Sequence, residues 1–355
     1  MKQGFDLHDR SSARRILRFV LLAVIIGFGV NIVLSLLMDR SQILGSLRRV
    51  RVIYFVVPLL LFVASHVVDS VRLMLVVAQF KIRLTFVQAF YNSCVGNFFT
   101  NVTPLTAGGQ PFQIYNLSAR GVPPEIATNV IMSRFVEQAM TSLLISILFL
   151  TQISWIAATL GFGRNLIYVG LGISLTVTLL LLALLIWPHF IGRLAIVLER
   201  TLLGRLIGRV SGKHNWAPSL HRYSHRLREN VRILWSTKTP IMIVDILLGV
   251  GNILLHSYSL LYVLDGVVGM QLPFLPVAIS YVILWQIVFY VPTPGASGSV
   301  EGAFALVYSG MTADLGATVI AVFVWRIATY YLLLLFDALV YVTLGRTANT
   351  GVRKS

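Results

Sequence analysis

Two stretches decide how this chain is read: NVTPLTAGGQPF at residues 101–112 and VPTPGASGSVEG at residues 291–302. Each crowds Pro, Gly, Ser and Thr into a chain that is otherwise one apolar run after another. Such stretches break helices, because proline lacks an N–H and its neighbours here favour turns. Composition says what solvent the breaks sit in. Of 355 residues, 57% are hydrophobic and 12% charged, with a mean hydropathy of +0.82. A soluble domain is nearer roughly 45–50% apolar and about 25% charged. The apolar excess gathers into runs at 19–38, 53–79, 86–102, 126–154, 165–187, 240–264, 272–292 and 315–345. Most reach the roughly 20 residues that a transmembrane helix needs. The expected fold is an all-α polytopic membrane protein, since no run alternates as a transmembrane barrel strand does. Phe19–Met38 exceeds a signal-peptide core and lacks a cleavage site, so it is expected to be retained.

The net charge of +16 invites nucleic acid as a partner. The distribution argues instead for cytoplasmic loops beside anionic lipid, with no nucleic-acid partner. His189–Lys238 alone holds ten Lys/Arg and two Glu. It reads as amphipathic surface helices. The basic N-terminus (Lys2, Arg10, Arg14, Arg15, Arg18), the turn at Lys81 and Arg83, and the tail at Arg346, Arg353 and Lys354 belong on the same side. Counting every run as a full span puts 189–238 on the wrong side. The conflict disappears if 86–102 enters halfway, turns at TPLTAGG and returns by Arg120. Segment 272–292 then does the same from the opposite face, turning at PTPGASGS and returning by Gly310.

The expected architecture is therefore about six full spans plus two re-entrant hairpins in an inverted repeat. A cytoplasmic N-terminus, 1–18, precedes a first repeat, 19–154, with its hairpin at about 86–119. The second repeat, 165–345, has its hairpin at about 272–310 and carries the basic insertion 189–238. Residues 346–355 form a cytoplasmic tail, in a bacterial-type inner membrane. Pro104 precedes Arg134 by 30 residues and Pro294 precedes Arg326 by 32, as repeats in a secondary transporter would place them. Arg40, Arg48, Arg49 and Arg51 fall on the opposite face, where lipid headgroups are their only expected partners.

Irregular backbone at membrane depth survives only when buried in protein or lining a watery cavity. Two breaks arriving from opposite sides imply one shared polar cavity, where hairpin-helix N-termini favour an anion. Ionisable residues inside the membrane mark function. Arg134 and Glu137 are one turn apart, a spacing for an intrahelical ion pair. Glu301 follows the second turn. Arg326 and Asp337, eleven residues apart, fall on one helix face. His66, Asp69 and Arg72 form a one-face ladder, read as helix glue or as a site, and Asp245, Asn252 and His256 share another face. The candidate substrate-binding set is Arg134, Glu137, Glu301, Arg326 and Asp337, with the turn residues Pro104, Gly108, Gly109, Gln110, Pro294, Gly295 and Gly298. Arginine suits a phosphate because its planar fork donates two parallel bonds. Glu301, with Glu137 or Asp337, balances the arginines in the empty site.

No catalytic residue, metal or cofactor is expected. Cys94 is the single cysteine, which excludes a disulfide and a multi-cysteine metal site; it is read as a small packing residue. His214, His221 and His225 lack a carboxylate or cysteine to complete a site. Phosphate-loop, zinc-protease and nucleophile-elbow motifs are missing. Chemistry on lipid-linked sugars, with Glu301 or Asp69 as base, stays an open reading.

Three stretches together resemble one family. PLTAGGQPFQIYNLSARGVP is similar to its first signature, a Pro/Gly-Gly turn, a short helix and Gly-x-Pro. VPTPGASGSVEGAF is similar to its second, Pro-x-Pro-Gly-x-x-Gly-x-x-Glu, and WRIATYYLLLLFDAL to its closing Arg-aromatic helix. The chain thus resembles the lysylphosphatidylglycerol synthase transmembrane-region (flippase-like) family over roughly residues 15–345, without the soluble synthase domain. Gln113 stands where related sequences often carry a basic residue. The resemblance implies a lipid flippase moving an anionic phospholipid or glycolipid headgroup between leaflets, with membrane lipids as partners. A carrier of a small soluble anion is the alternative. Another is a non-transporting subunit that recruits a lipid-modifying enzyme.

Overall fold

The computed structural model describes residues 29, 47–103, 106, 108–149, 151, 154–155, 164–187, 216–289, 291, 293–345 and 353–354. Apart from residue 29, the expected span 19–38 lies outside the described residues, as do 188–215 of the basic insertion and Pro104.

The described chain is mostly helical, because an apolar solvent forces each backbone polar group to pair within its own segment. α1 spans Ile53–Ala78, α2 Phe86–Val102, α3 Gly109–Ala119, α4 Pro124–Leu148 and α5 Arg164–Ile186. There follow α6 (Trp216–Arg232), α7 (Thr239–Val268), α8 (Phe274–Val288), α9 (Ser299–Thr312) and α10 (Leu315–Arg326). A π-helical segment, Ile327–Leu332, joins α10 to α11, Leu333–Leu344. Among the described residues, five helices are long and apolar enough to cross a membrane: α1, α4, the Tyr168–Ile186 part of α5, α7, and the continuous Leu315–Leu344. At ~1.5 Å per residue, the 26 residues of α1 run about 39 Å.

Local chemistry sets the ends. Thr85 and Gln88 form a reciprocal capping box that starts α2. Asp314 accepts from the Ala317 amide at 2.9 Å to start α10. Gly269, at φ +81°, ends α7. There Arg49 Nη1 donates to the Val268 carbonyl at 2.5 Å. A cation at a helix C-terminus meets the negative end of the dipole, so Arg49 has a protein partner as well as any lipid one.

Both broken stretches form helix hairpins. In the first, α3 folds back along α2. A Cβ on Gly96 would overlap the Gln113 side chain, and one on Gly109 would sit 2.8 Å from the Gly96 carbonyl. Gln113 is the clamp: its carbonyl accepts from Asn92 Nδ2 at 3.0 Å and its amide donates to the Asn92 carbonyl at 3.4 Å. In the second, α8 and α9 flank Pro294–Ala296; α9 packs against α10, and α8 against α7, α4 and α5. Phe304 stacks on Trp325 at 5.8 Å and meets Tyr281 edge-on at 5.9 Å, holding the hairpin to α10.

α1 and α7 pack along each other at the centre, with α2 and α10 beside them. The tail strand Arg353–Lys354 pairs with Ile82–Arg83, which puts the basic turn and the tail at one end of the molecule. The described part of the basic insertion, α6, docks on α4: Arg226 pairs with Glu125 at 3.1 Å and Tyr223 bonds Thr128 at 2.5 Å.

Candidate functional site

The two turns meet. The C-terminal end of α2 packs against the Pro294–Ala296 turn, and one side chain touches both. Tyr330, in the π-helical segment, donates from its hydroxyl toward the Asn101 carbonyl (3.2 Å) and the Pro294 carbonyl (3.4 Å). Beside them lies a cavity of about 450 Å³. Thr106 of the first turn and Gly295 of the second both line it, with Asn97, Thr100 and Asn101 of α2 and Thr329 and Tyr330 of the π segment. Asp69 and Arg72 come from α1, Asn252 and His256 from α7, and Arg326 from α10. Phe62, Phe135, Trp285 and Phe289 complete an apolar wall. Such a mixed lining orients a polar group while leaving apolar chains in contact with apolar surface.

Two charge clusters flank this space. The first centres on Arg72, 4% exposed. Its Nε donates to Asp245 Oδ1 at 2.8 Å, its Nη1 to Asp69 at 3.2 Å and its Nη2 to Glu137 at 3.0 Å. Arg134 joins from α4, 3.1 Å from Asp69 and 3.6 Å from Asp245, and Asn252 donates to Asp69 at 3.1 Å. The expected Arg134–Glu137 intrahelical pair does not form. Both side chains turn to neighbouring helices, where carboxylates and the buried Arg72 offer shorter contacts than a partner one turn away. Asp69 and Arg72 of the ladder on α1 are thus the hub of the cluster, while His66 turns to Asp337.

In the second cluster Arg326 Nε donates to Glu301 at 3.0 Å and Nη2 to the Gly295 carbonyl at 3.0 Å, while the guanidinium stacks over Tyr330 at 4.3 Å. Glu301 Oε2 accepts from the Gly298 amide at 2.7 Å. The N-terminus of α9 therefore carries its own carboxylate, which corrects the expectation that it is open to an anion. Asp337 does not share the task of balancing Arg326. It lies against His66 at 3.1 Å and accepts from Asn97 at 2.6 Å. The intervening π turn adds a residue to the helix and rotates the face by ~100°, so the eleven-residue spacing misleads.

Of the sequence-level candidates, Arg326 and Gly295 line the cavity; Arg134, Glu137, Glu301 and Asp337 stand behind its wall. Gly108 and Gly109 serve close packing on α2, where a Cβ would meet backbone at 2.8 Å. Gln110 does not line the cavity, and Pro294 contributes its carbonyl to Tyr330. Gly298, at φ +89°, gives the conformation that its bond to Glu301 needs. Asn97, Thr100 and Asn101 were missed, although polar residues inside the apolar α2 run were a visible signal.

Gly295 is at φ +57°, and an added Cβ would overlap the Tyr330 ring. Gly295→Ala should cost about 2–4 kcal/mol, from left-handed strain plus overpacking. Thermal unfolding of the purified protein in detergent measures it, and an unchanged melting temperature would contradict the turn geometry.

The lysylphosphatidylglycerol synthase TM region family model matches residues 20–336 of the chain. A UPF0104 membrane protein of Archaeoglobus fulgidus is 24% identical over 331 residues, covering 90% of this chain and 95% of the relative. No solved structure matches. With the match running over most of its length, the chain belongs to the lysylphosphatidylglycerol synthase TM region family.

Proposed function

We propose that this protein is a lipid translocase that passes the polar headgroup of an anionic phospholipid or glycolipid through the cavity while the acyl chains stay in the bilayer. The observation that carries the reading is the cavity itself. It gathers residues of both hairpin turns and two arginines beneath an aromatic wall, among helices long and apolar enough to span a membrane. Arg326 is the phosphate-binding arm. Its Nε and Nη2 are engaged, while its Nη1 has no hydrogen-bond partner among the described residues. Arg72 is saturated by three carboxylates, so its role is to hold the acidic cluster together.

In this reading the hairpins α2–α3 and α8–α9 are re-entrant and belong to an inverted repeat. The 17 and 15 residues of α2 and α8 support it, since such lengths reach roughly 26 and 23 Å, short of a ~30 Å hydrocarbon core. The end bearing Arg83 and the tail faces the cytoplasm, following the distribution of positive charge. The protein moves lipid without chemistry on it, in the cytoplasmic membrane of its cell.

The test is purified protein in liposomes that carry headgroup-labelled lipids in both leaflets, with a membrane-impermeant quencher outside. A panel of anionic, aminoacylated and polyprenyl lipids is offered. Wild type should expose the inner-leaflet pool of at least one lipid. Ala139→Trp, at a lining residue that is not itself a member of either charge cluster, should slow exposure at least about tenfold. Folded wild type no faster than protein-free vesicles on the whole panel would refute the proposal. Equal rates in wild type and Ala139→Trp would remove the cavity as the route.

A further inference from the structure

We propose that His66, Cys94 and Asp337 form a binding site for one zinc ion, tying α1, α2 and α11 together behind the cavity wall. Their ligand atoms lie within 4.8 Å of one another. All three residues are buried, at 5%, 0% and 0% exposure. His66 Nε2 and Asp337 Oδ1 form an ion pair at 3.1 Å, but the contact lacks directional hydrogen-bond geometry. A buried ion pair without good hydrogen-bond geometry, facing a thiol, is costly as it stands. A cation between them satisfies both. The sequence argument against a multi-cysteine site holds, but the fold assembles a mixed site from residues 28 and 243 positions apart.

The donor set selects the ion. One imidazole nitrogen, one sulfur and one carboxylate oxygen suit a borderline-soft cation and not Mg²⁺ or Ca²⁺, which take oxygen. Imidazole stays neutral, while thiolate and carboxylate carry two negative charges that a dication cancels. Ligand atoms around tetrahedral zinc stand about 3.3–3.8 Å apart, so the 3.1 Å His66–Asp337 pair opens slightly as the ion enters, while the wider separations, up to 4.8 Å, close by at most roughly 1 Å. The thiol proton leaves to solvent as the sulfur–metal bond forms. Asn97 supplies the outer contact, donating to Asp337 Oδ2 at 2.6 Å and so leaving Oδ1 for the metal. Because Asn97 also lines the cavity, an ion here would set the position of a cavity side chain.

The experiment uses the full chain in detergent, stripped with a chelator and titrated with Zn²⁺ or Co²⁺. Bound metal is counted by mass spectrometry of the desalted protein. Co²⁺ should give the intense near-ultraviolet thiolate-to-metal band. Wild type is expected to retain one equivalent and to melt higher with metal than without. Cys94→Ser should abolish the thiolate band and weaken binding by more than the roughly 10–100-fold that loss of an outer-shell partner costs, while Asn97→Ala should fall within that range. Cys94→Ser is close in size, and its melting temperature without metal reports whether it folds. Wild type retaining no stoichiometric metal would overturn the proposal, leaving a buried ion pair beside a packed thiol. So would equal retention by wild type, Cys94→Ser and Asp337→Asn.

Discussion

Arg72→Leu should destabilise the protein by about 3–5 kcal/mol, the range for removing one partner from a buried ion-pair network. Three carboxylates depend on this side chain. Asp245 is wholly buried and Glu137 nearly so, and each lies within 3.0 Å of an Arg72 nitrogen. Without it, Arg134 alone would face Asp69, Glu137 and Asp245. One cation cannot offset three carboxylates in a medium where each unpaired charge costs several kcal/mol. The loss should appear as a lower melting temperature in detergent and a smaller folded fraction on size exclusion. A second variant separates charge balance from lost packing. Arg72→Met combined with Asp245→Leu removes one charge of each sign and restores the original balance, so it should recover most of the loss. If Arg72→Leu melts with wild type, the cluster is not a network. If the double variant is as unstable as the single one, Arg72 acts through packing and not charge.

Much of this fold was legible. The run at 53–79 becomes α1 at Ile53–Ala78, and the run at 165–187 becomes α5 at Arg164–Ile186. Apolar length and Pro/Gly breaks are local signals, and membrane helices obey them because lipid leaves the backbone no other choice. The turns were legible for the same reason. Pairings were not legible. Glu137 finds Arg72 across 65 residues and Asp245 finds it across 173. Those partners depend on which helices become neighbours, which no spacing within one helix encodes. Arg134–Glu137 was the pairing that sequence spacing offered, and tertiary contacts displaced it. The π segment was invisible too. Nothing in IATYYL announces an extra residue in the turn, yet that residue sends Asp337 to His66 and leaves Arg326 with Glu301. His66, Cys94 and Asp337 meet only because α1, α2 and α11 pack side by side.

Glu301→Gln should prove far from conservative, for a reason visible in its two oxygens. Oε1 accepts from Arg326 Nε at 3.0 Å and Oε2 from the Gly298 amide at 2.7 Å. Both partners are donors. Glutamine has one oxygen and one NH₂, so whichever way it turns, one donor faces another and one bond is lost. Bonds to charged groups are worth about 1.5–3 kcal/mol. Arg326, 2% exposed, also loses its counter-charge. A loss of about 2–4 kcal/mol in stability is expected, and transport per folded molecule should fall at least about tenfold. Adding Arg326→Gln separates the two effects. Paired amides can exchange donor and acceptor roles, so the double variant should regain stability. Transport should stay low, because the cation proposed to meet the headgroup phosphate is gone. Glu301→Gln melting with wild type would refute the paired-acceptor geometry. A double variant that transports at the wild-type rate would remove Arg326 from the headgroup path and with it the phosphate-binding role.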